Sequence, residues 1–175
     1  FTIEGFRQAI WDLQIAIRAI REAGASHVGV VGMSLGGYTA SLLATVTSDL
    51  DFVLSYIPIC SVPDVMNDND LVPGTGDIQR TLYEGYREQL VPITPVCRMP
   101  KVEPRRVSII SGAFDQLATV RHGQRLADHF GTELLTFPGG HILQNRRAQA
   151  FRSSLEGFQK AGVLPRKRWI KAAKS

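Results

Sequence analysis

Ser34, Asp115 and His141 are the residues of this 175-residue chain whose types and settings could carry nucleophilic chemistry. Ser34 lies in Gly32-Met33-Ser34-Leu35-Gly36, one hydroxyl with a glycine two places before it and another two places after. The apolar run "HVGVVGM" leads into this stretch and the helix-forming "GGYTASLLA" leads out. A strand that reverses sharply into a helix forces the turn residue into a strained, often positive-φ conformation and brings its flanking positions close together. Gly32 and Gly36 are read as removing the side chains that would clash, and Gly37 as letting the helix approach the strand. Ser34 is left projecting at the tip. The same turn aims the first free N–H groups of the helix, beginning with that of Leu35, at an oxygen that turns negative during attack on a carbonyl.

A serine hydroxyl is a weak nucleophile and needs a base, which needs an orienting acid. "SGAFDQLA" supplies Asp115 and "FPGGHIL" supplies His141 after two glycines, each at the end of an apolar run. Asp64, just beyond another such run, is the alternative acid. His27, His122 and His129 are expected on solvated surface. The serine turn fits neither of two common glycine-rich nucleotide-binding patterns. A dinucleotide fingerprint fails because Gly29, Gly32 and Gly36 lack the G-x-G-x-x-G spacing, and Asp49 and Asp51 precede the next strand instead of ending it. A P-loop fails because no Gly-Lys-Ser/Thr follows.

The elements that must position these groups are legible from periodicity. Ile3, Phe6, Ile10, Leu13, Ile17 and Ile20 recur at three- and four-residue steps, predicting an amphipathic helix closed by Gly24. "HVGVVGM" reads as a strand buried on both faces, followed by a helix from about Gly36 to Thr45; "DFVLSYIPIC", "RRVSIISGAFD" and "TELLTFPGG" supply three more strands. A helix with Val120, Leu126 and Phe130 inward stops at Gly131, and the last runs from about Leu143 to Ala161 with Ala148, Phe151, Leu155 and Phe158 on one face. Alternating strands and helices imply an α/β fold, a mainly parallel sheet with helices on both faces. Residues 61–104 break the rhythm with six prolines and one plausible helix, "GDIQRTLYEGYREQL". They read as a cap-like insertion over the sheet edge where strands end. Tyr83, Tyr86, Leu82 and Leu90 on that helix form a stripe suited to core packing.

The order Ser34, Asp115, His141, all at carboxyl ends of parallel strands, resembles that of the α/β-hydrolases. The chain is similar to the C-terminal part of such a serine hydrolase, from the helix before the nucleophile strand to the last helix. The resemblance implies a three-layer architecture incomplete on its N-terminal side, with Ser34 as nucleophile, His141 as general base and acid, and Asp115 as the residue that fixes the histidine tautomer. It implies a small-molecule acyl substrate, an ester, thioester or amide, and no cofactor or metal. In that fold the "HVGVVG" strand is central and preceded by other strands, one of them leading to a loop that gives the second oxyanion donor. In this chain alone it would be an apolar edge, covered by a preceding segment or a second copy.

Composition bounds the rest. At 44% hydrophobic the chain can bury one core, read as a partial domain over 1–165 with a basic tail at 166–175. The net charge of +4 is concentrated in that tail, which holds five of the twenty basic residues and one aromatic, Trp169. No stacking series accompanies the charge, so nucleic acid is not an expected partner. Cys60 and Cys97 have no metal or disulfide spacing and are expected as buried thiols. No apolar run reaches a membrane span's length, and a chain opening at Phe1 leaves targeting unread, with the cytoplasm favoured. The competing reading is a noncatalytic hydrolase-like module that binds a partner through its sheet edge or tail.

Overall fold

The computed structural model describes residues 2–165, with the Thr2 side chain excepted; the basic tail at 166–175 lies outside the described residues. Four strands, β1 (Gly29–Met33), β2 (Phe52–Tyr56), β3 (Val107–Gly112) and β4 (Leu134–Phe137), form one parallel sheet in the order β1-β2-β3-β4. Met33 pairs with Tyr56, Tyr56 with Ile110, and Gly112 with Phe137, so all four strands end on one rim.

Alternation along the strands divides the core into two layers. Val53 and Ile109 point into a cluster shared with Ile10 and Ile17 of α1 (Thr2–Glu22), Leu43 of α2 (Leu35–Leu43) and Leu126 of α5 (Val120–Phe130). Leu54, Tyr56, Ile110 and Phe137 point the other way, onto Ala150 and Phe158 of α6 (Arg147–Lys160). Helices therefore cover both faces. Among the described residues no helix is long and apolar enough to cross a membrane.

The sequence reading needs correction at several elements. β1 is not buried on both faces: among the described residues it pairs with β2 alone, and Val31 and Met33 are more than half exposed. These two stand in register with Leu54 and Tyr56, on the α6 side, but α6 packs on β3 and β4 and leaves the β1 end of that face open. α6 starts at Arg147 because residues 141–146 form a loop, and its buried stripe is Ala150, Ser154 and Phe158, with Leu155 exposed. His122 is fully buried, and Cys97 is exposed while Cys60 is buried.

Between β2 and β3 lie α3 (Val62–Asp68), α4 (Gly76–Leu90) and single 3-10 turns at Val91–Ile93, Pro95–Cys97 and Pro104–Arg106. Sequence reading missed α3 because Pro63 looked like a breaker. A proline in the first turn costs no hydrogen bond, and the Ser61 hydroxyl caps the helix by accepting from the Asp64 N–H at 3.3 Å. None of α4 is fully buried. The end of the segment is rooted in the main core through Ile93 and Val102, and the buried Tyr38 hydroxyl donates to the Ile93 carbonyl at 2.7 Å.

Where β1 becomes α2, the three glycines have different tasks. A Cβ on Gly32 would stand 2.0 Å from the Gly36 carbonyl oxygen, inside backbone that cannot yield. A Cβ on Gly37 would stand 3.1 Å from Pro58 Cβ and 3.2 Å from the Tyr56 oxygen, a tight fit of helix on strand. Gly36 corrects the expectation: a Cβ there meets nothing within 4 Å. Gly32→Ala is expected to destabilise the protein by about 3 kcal/mol or more. Gly36→Ala should be neutral or stabilising by up to about 1 kcal/mol, since it removes a helical glycine. Urea unfolding of the two variants checks the contrast.

Acid sensitivity follows from buried ionisable groups. Burial pushes the His122 pKa down, against the opposing pull of Asp68, so the folded state holds this imidazole neutral. The unfolded chain then binds more protons below the ordinary histidine value, and stability declines as pH drops through about 6.5. Asp64 and Asp51 lie below the usual carboxylate range because hydrogen bonds and charges from Arg125, Tyr83 and Arg21, and the Val28 N–H, outweigh their burial. Their contribution is present above the ordinary aspartate value of about 3.9 and is lost as pH falls below it. Urea midpoints measured across pH should show both stages, with the upper one flattened in His122→Gln.

Candidate active site

Ser34 stands between β1 and α2 with φ 55° and ψ −119°, a conformation that costs a residue with a side chain of order 1–3 kcal/mol. Its backbone is held on both sides: its N–H donates to the Tyr56 carbonyl at 2.9 Å, and its carbonyl accepts from the Tyr38 N–H at 3.0 Å. The ladder partner of Met33 thus carries on to fix the turn itself. Leu35 is the first residue of α2, so its N–H has no acceptor within the helix and points out at the turn.

Asp115 and His141 are carried by loops that lean on each other. The Ala113 N–H donates to the Phe137 carbonyl at 2.9 Å and the Phe114 N–H to the Gly139 carbonyl at 3.0 Å, extending the β3–β4 pairing past the strand ends. Gly112 makes this approach possible, because a Cβ there would stand 2.5 Å from the Gly139 oxygen. Asp115 Oδ1 accepts from the N–H groups of Leu117 and Ala118 at 3.0 and 2.8 Å, which locks the carboxylate with its side chain fully buried.

The three loops bring Ser34, Asp115 and His141 into one hydrogen-bonded chain. Asp115 Oδ2 lies 2.8 Å from His141 Nδ1, and His141 Nε2 lies 2.9 Å from Ser34 Oγ. An ionised carboxylate only accepts, so the proton sits on Nδ1 and Nε2 offers its lone pair to the serine hydroxyl. This is the tautomer in which a histidine can receive a proton from serine. The His141 side chain keeps 19% of its surface exposed, whereas that of Asp115 is fully buried.

The other candidates lie elsewhere. Asp64 is buried, accepts from the Tyr83 hydroxyl at 2.7 Å and pairs with Arg125. The exposed His27 bonds Ser26 Oγ through Nδ1 at 3.0 Å. His129 Nε2 donates to the Arg98 carbonyl at 2.8 Å. His122 Nδ1 faces Cys60, whose thiol burial pushes up to about 12.

Sequence reasoning missed two residues beside the site. The Tyr56 hydroxyl donates to Gln144 Oε1 at 3.0 Å, and Gln144 Nε2 donates to the His141 carbonyl at 2.8 Å. Tyr56 looked like one more strand residue, and a glutamine three places after a histidine carries no pattern.

No protein-family model matches the chain. Two uncharacterized proteins of Mycobacterium tuberculosis, MT2702 of strain CDC 1551 / Oshkosh and Rv2627c of strain ATCC 25618 / H37Rv, are each 28% identical to it over 171 residues. The alignment covers 93% of this chain and 40% of each relative, so the chain spans less than half their length. Among solved structures, a M. tuberculosis puromycin-hydrolyzing peptidase superposes with a TM-score of 0.67 at 18% identity, over 90% of this chain and 26% of that one. The enol-lactonase from Burkholderia xenovorans LB400 gives 0.57 at 19%, over 89% and 73%. Acetyl xylan esterase 1 from Thermoanaerobacterium sp. JW/SL YS485 gives 0.55 at 19%, over 75% and 46%. The chain superposes on these neighbours through its parallel sheet and flanking helices, and it has the α/β-hydrolase fold.

Proposed function

We propose that this chain carries the nucleophile, base and acid of a serine hydrolase that cleaves a carboxylic ester through an acyl-enzyme. The observation that carries the reading is the unbroken path from Asp115 through His141 to Ser34, with the serine at positive φ on a strand-to-helix turn. In the first half-reaction Ser34 Oγ attacks the carbonyl carbon as its proton passes to His141 Nε2. The new oxyanion is met by the Leu35 N–H at the positive end of α2. Asp115 stabilises the imidazolium without taking its proton. Collapse of the tetrahedral adduct breaks the carbon–oxygen bond of the ester, and His141 returns the proton to the departing alcohol. Water, deprotonated by the same histidine, then attacks the acyl-serine and releases the acid.

The neighbours' names, peptidase, esterase and enol-lactonase, support acyl transfer as the class and do not choose among leaving groups. An ester is proposed because an alkoxide is easier to expel than an amide nitrogen. Leu35, Phe114 and Ile142, each next in sequence to one of the three residues, are exposed apolar side chains, which favours an acyl part with apolar surface. A second reading rests on the open β1 edge, through which a noncatalytic module could bind a partner strand.

Intact-mass measurement after exposure to a fluorophosphonate tests the choice, on the protein expressed from its native reading frame. One adduct mapping to Ser34, absent in Ser34→Ala, is the expected result. Asp115→Asn should keep the fold and slow turnover of an activated ester by roughly 10⁴-fold, because an amide can hold the wrong imidazole tautomer. A native protein that takes no adduct would leave the binding-module reading standing.

A further inference from the structure

We infer that Gln144 and Tyr56 are positioning residues for His141, a pair that clasps the histidine loop to the sheet and sets the aim of its imidazole. The inference rests on the serine-hydrolase reading, but its geometry is independent of the substrate.

The loop from Pro138 to Arg146 is anchored at its start. The Gly139 N–H returns to the Phe137 carbonyl at 2.9 Å, and the Gly139 carbonyl receives the Phe114 N–H. After His141 the chain turns outward: Ile142 and Leu143 are 89% and 77% exposed, and Arg146 sits at φ 56° just before α6. Gln144 is the residue of this outward stretch whose side chain reaches back. Its carboxamide orientation is fixed by its partners. Oε1 receives two donors, the Tyr56 hydroxyl at 3.0 Å and Arg147 at 2.6 Å, and Nε2 faces an acceptor, the His141 carbonyl at 2.8 Å. The flipped amide would set N–H groups against both donors and its oxygen against a carbonyl.

The other end of the clasp is rigid. Tyr56 is 3% exposed, with its ring stacked on Phe137 at 5.5 Å between centroids and tilted against Phe151 at 4.8 Å. The same residue gives its backbone carbonyl to the Ser34 N–H. One strand residue therefore holds the serine turn by its main chain and the histidine loop by its side chain. A shift in either loop relative to the other must break a bond to Tyr56. Because proton transfer needs Ser34 Oγ and His141 Nε2 within hydrogen-bond reach, this common anchor sets the distance on which the reaction depends.

The test uses substitutions that separate aim from packing. Gln144→Ala removes the clasp. Gln144→Glu keeps the acceptor for Tyr56 and Arg147 and loses the Nε2 donor, which faces the His141 carbonyl at 2.8 Å and the Met33 sulfur at 4.0 Å. Tyr56→Phe keeps the stacked ring and loses only the hydroxyl. The primary readout needs no catalysis: the ¹⁵N-resolved Nδ1 proton of His141 and its exchange with solvent. We expect exchange roughly tenfold faster in Gln144→Ala and Gln144→Glu and several-fold faster in Tyr56→Phe, at nearly unchanged melting temperature. Fluorophosphonate labelling of Ser34 should slow by about tenfold in the first two, less than the roughly 10²-fold cost of displacing a reacting group by a full ångström. Exchange equal to the native rate in all three variants overturns the clasp. If native protein does not label while Nδ1 exchange still responds to the variants, the serine-hydrolase reading fails and the positioning role stands.

Discussion

The register of the parallel sheet is the constraint from which the candidate site descends. Met33, Tyr56 and Ile110 lie level across three strands, and β3 and β4 run on together to Gly112 and Phe137. One rim then receives a turn into a helix at β1 and two mutually bonded loops at β3 and β4. A slip of one residue would turn inward side chains outward and move the serine turn by about 3.3 Å, more than a hydrogen bond can follow. The two-layer core specifies the register because Val53 and Ile109 serve one cluster while Leu54, Tyr56 and Ile110 serve the other.

Two of the four non-glycine residues at positive φ among the described residues stand on that rim. Ser34 at φ 55° and Ile57 at φ 44° follow directly on the paired residues Met33 and Tyr56. For a fully buried, β-branched isoleucine, positive φ is a costly conformation. The Ile57 N–H donates to the Ile110 carbonyl at 2.6 Å, and Pro58 lies under Gly37. The turn after β2 is thus held between β3 and α2. It orients the Tyr56 carbonyl that receives the Ser34 N–H, so one strained residue supports another, and both are over-determined by neighbours on each side.

Much of this was legible in sequence because it depends on local period and on residues with few alternative uses. Glycines around a serine, an aspartate and a histidine after apolar runs, and alternating strand and helix patterns each name a place on the chain. What was not legible depends on what lies across the fold. Gly36 and Gly32 look equivalent in a string, yet only Gly32 faces backbone. β1 was legible as an apolar edge of this chain, but that its face toward α6 is open as well is decided by the reach of that helix, more than a hundred residues away. Gln144 and Tyr56 meet across 88 residues, and neither advertises the other.

A second constellation shows why residue types alone do not make a site. Cys60 Sγ lies 3.2 Å from His122 Nδ1, and His122 Nε2 lies 3.2 Å from Asp68 Oδ2, so a thiol, an imidazole and a carboxylate line up in space. Both Cys60 and His122 are fully buried, and burial raises the thiol while lowering the imidazole, so neither is driven toward its charged form. The Cys60 N–H also points at His122 Nδ1, at 3.3 Å, which occupies the lone pair a base would use. His122 Nε2 finds no well-aligned acceptor despite its nearness to Asp68. Ser34 and His141 differ in each of these respects: the histidine Nδ1 is bonded to a carboxylate that backbone N–H groups hold in place, and Nε2 faces the hydroxyl of a serine that is only partly buried. Exposure and the direction of each hydrogen bond, more than the identity of the three residues, separate a packed polar core from the arrangement proposed here as a nucleophilic site.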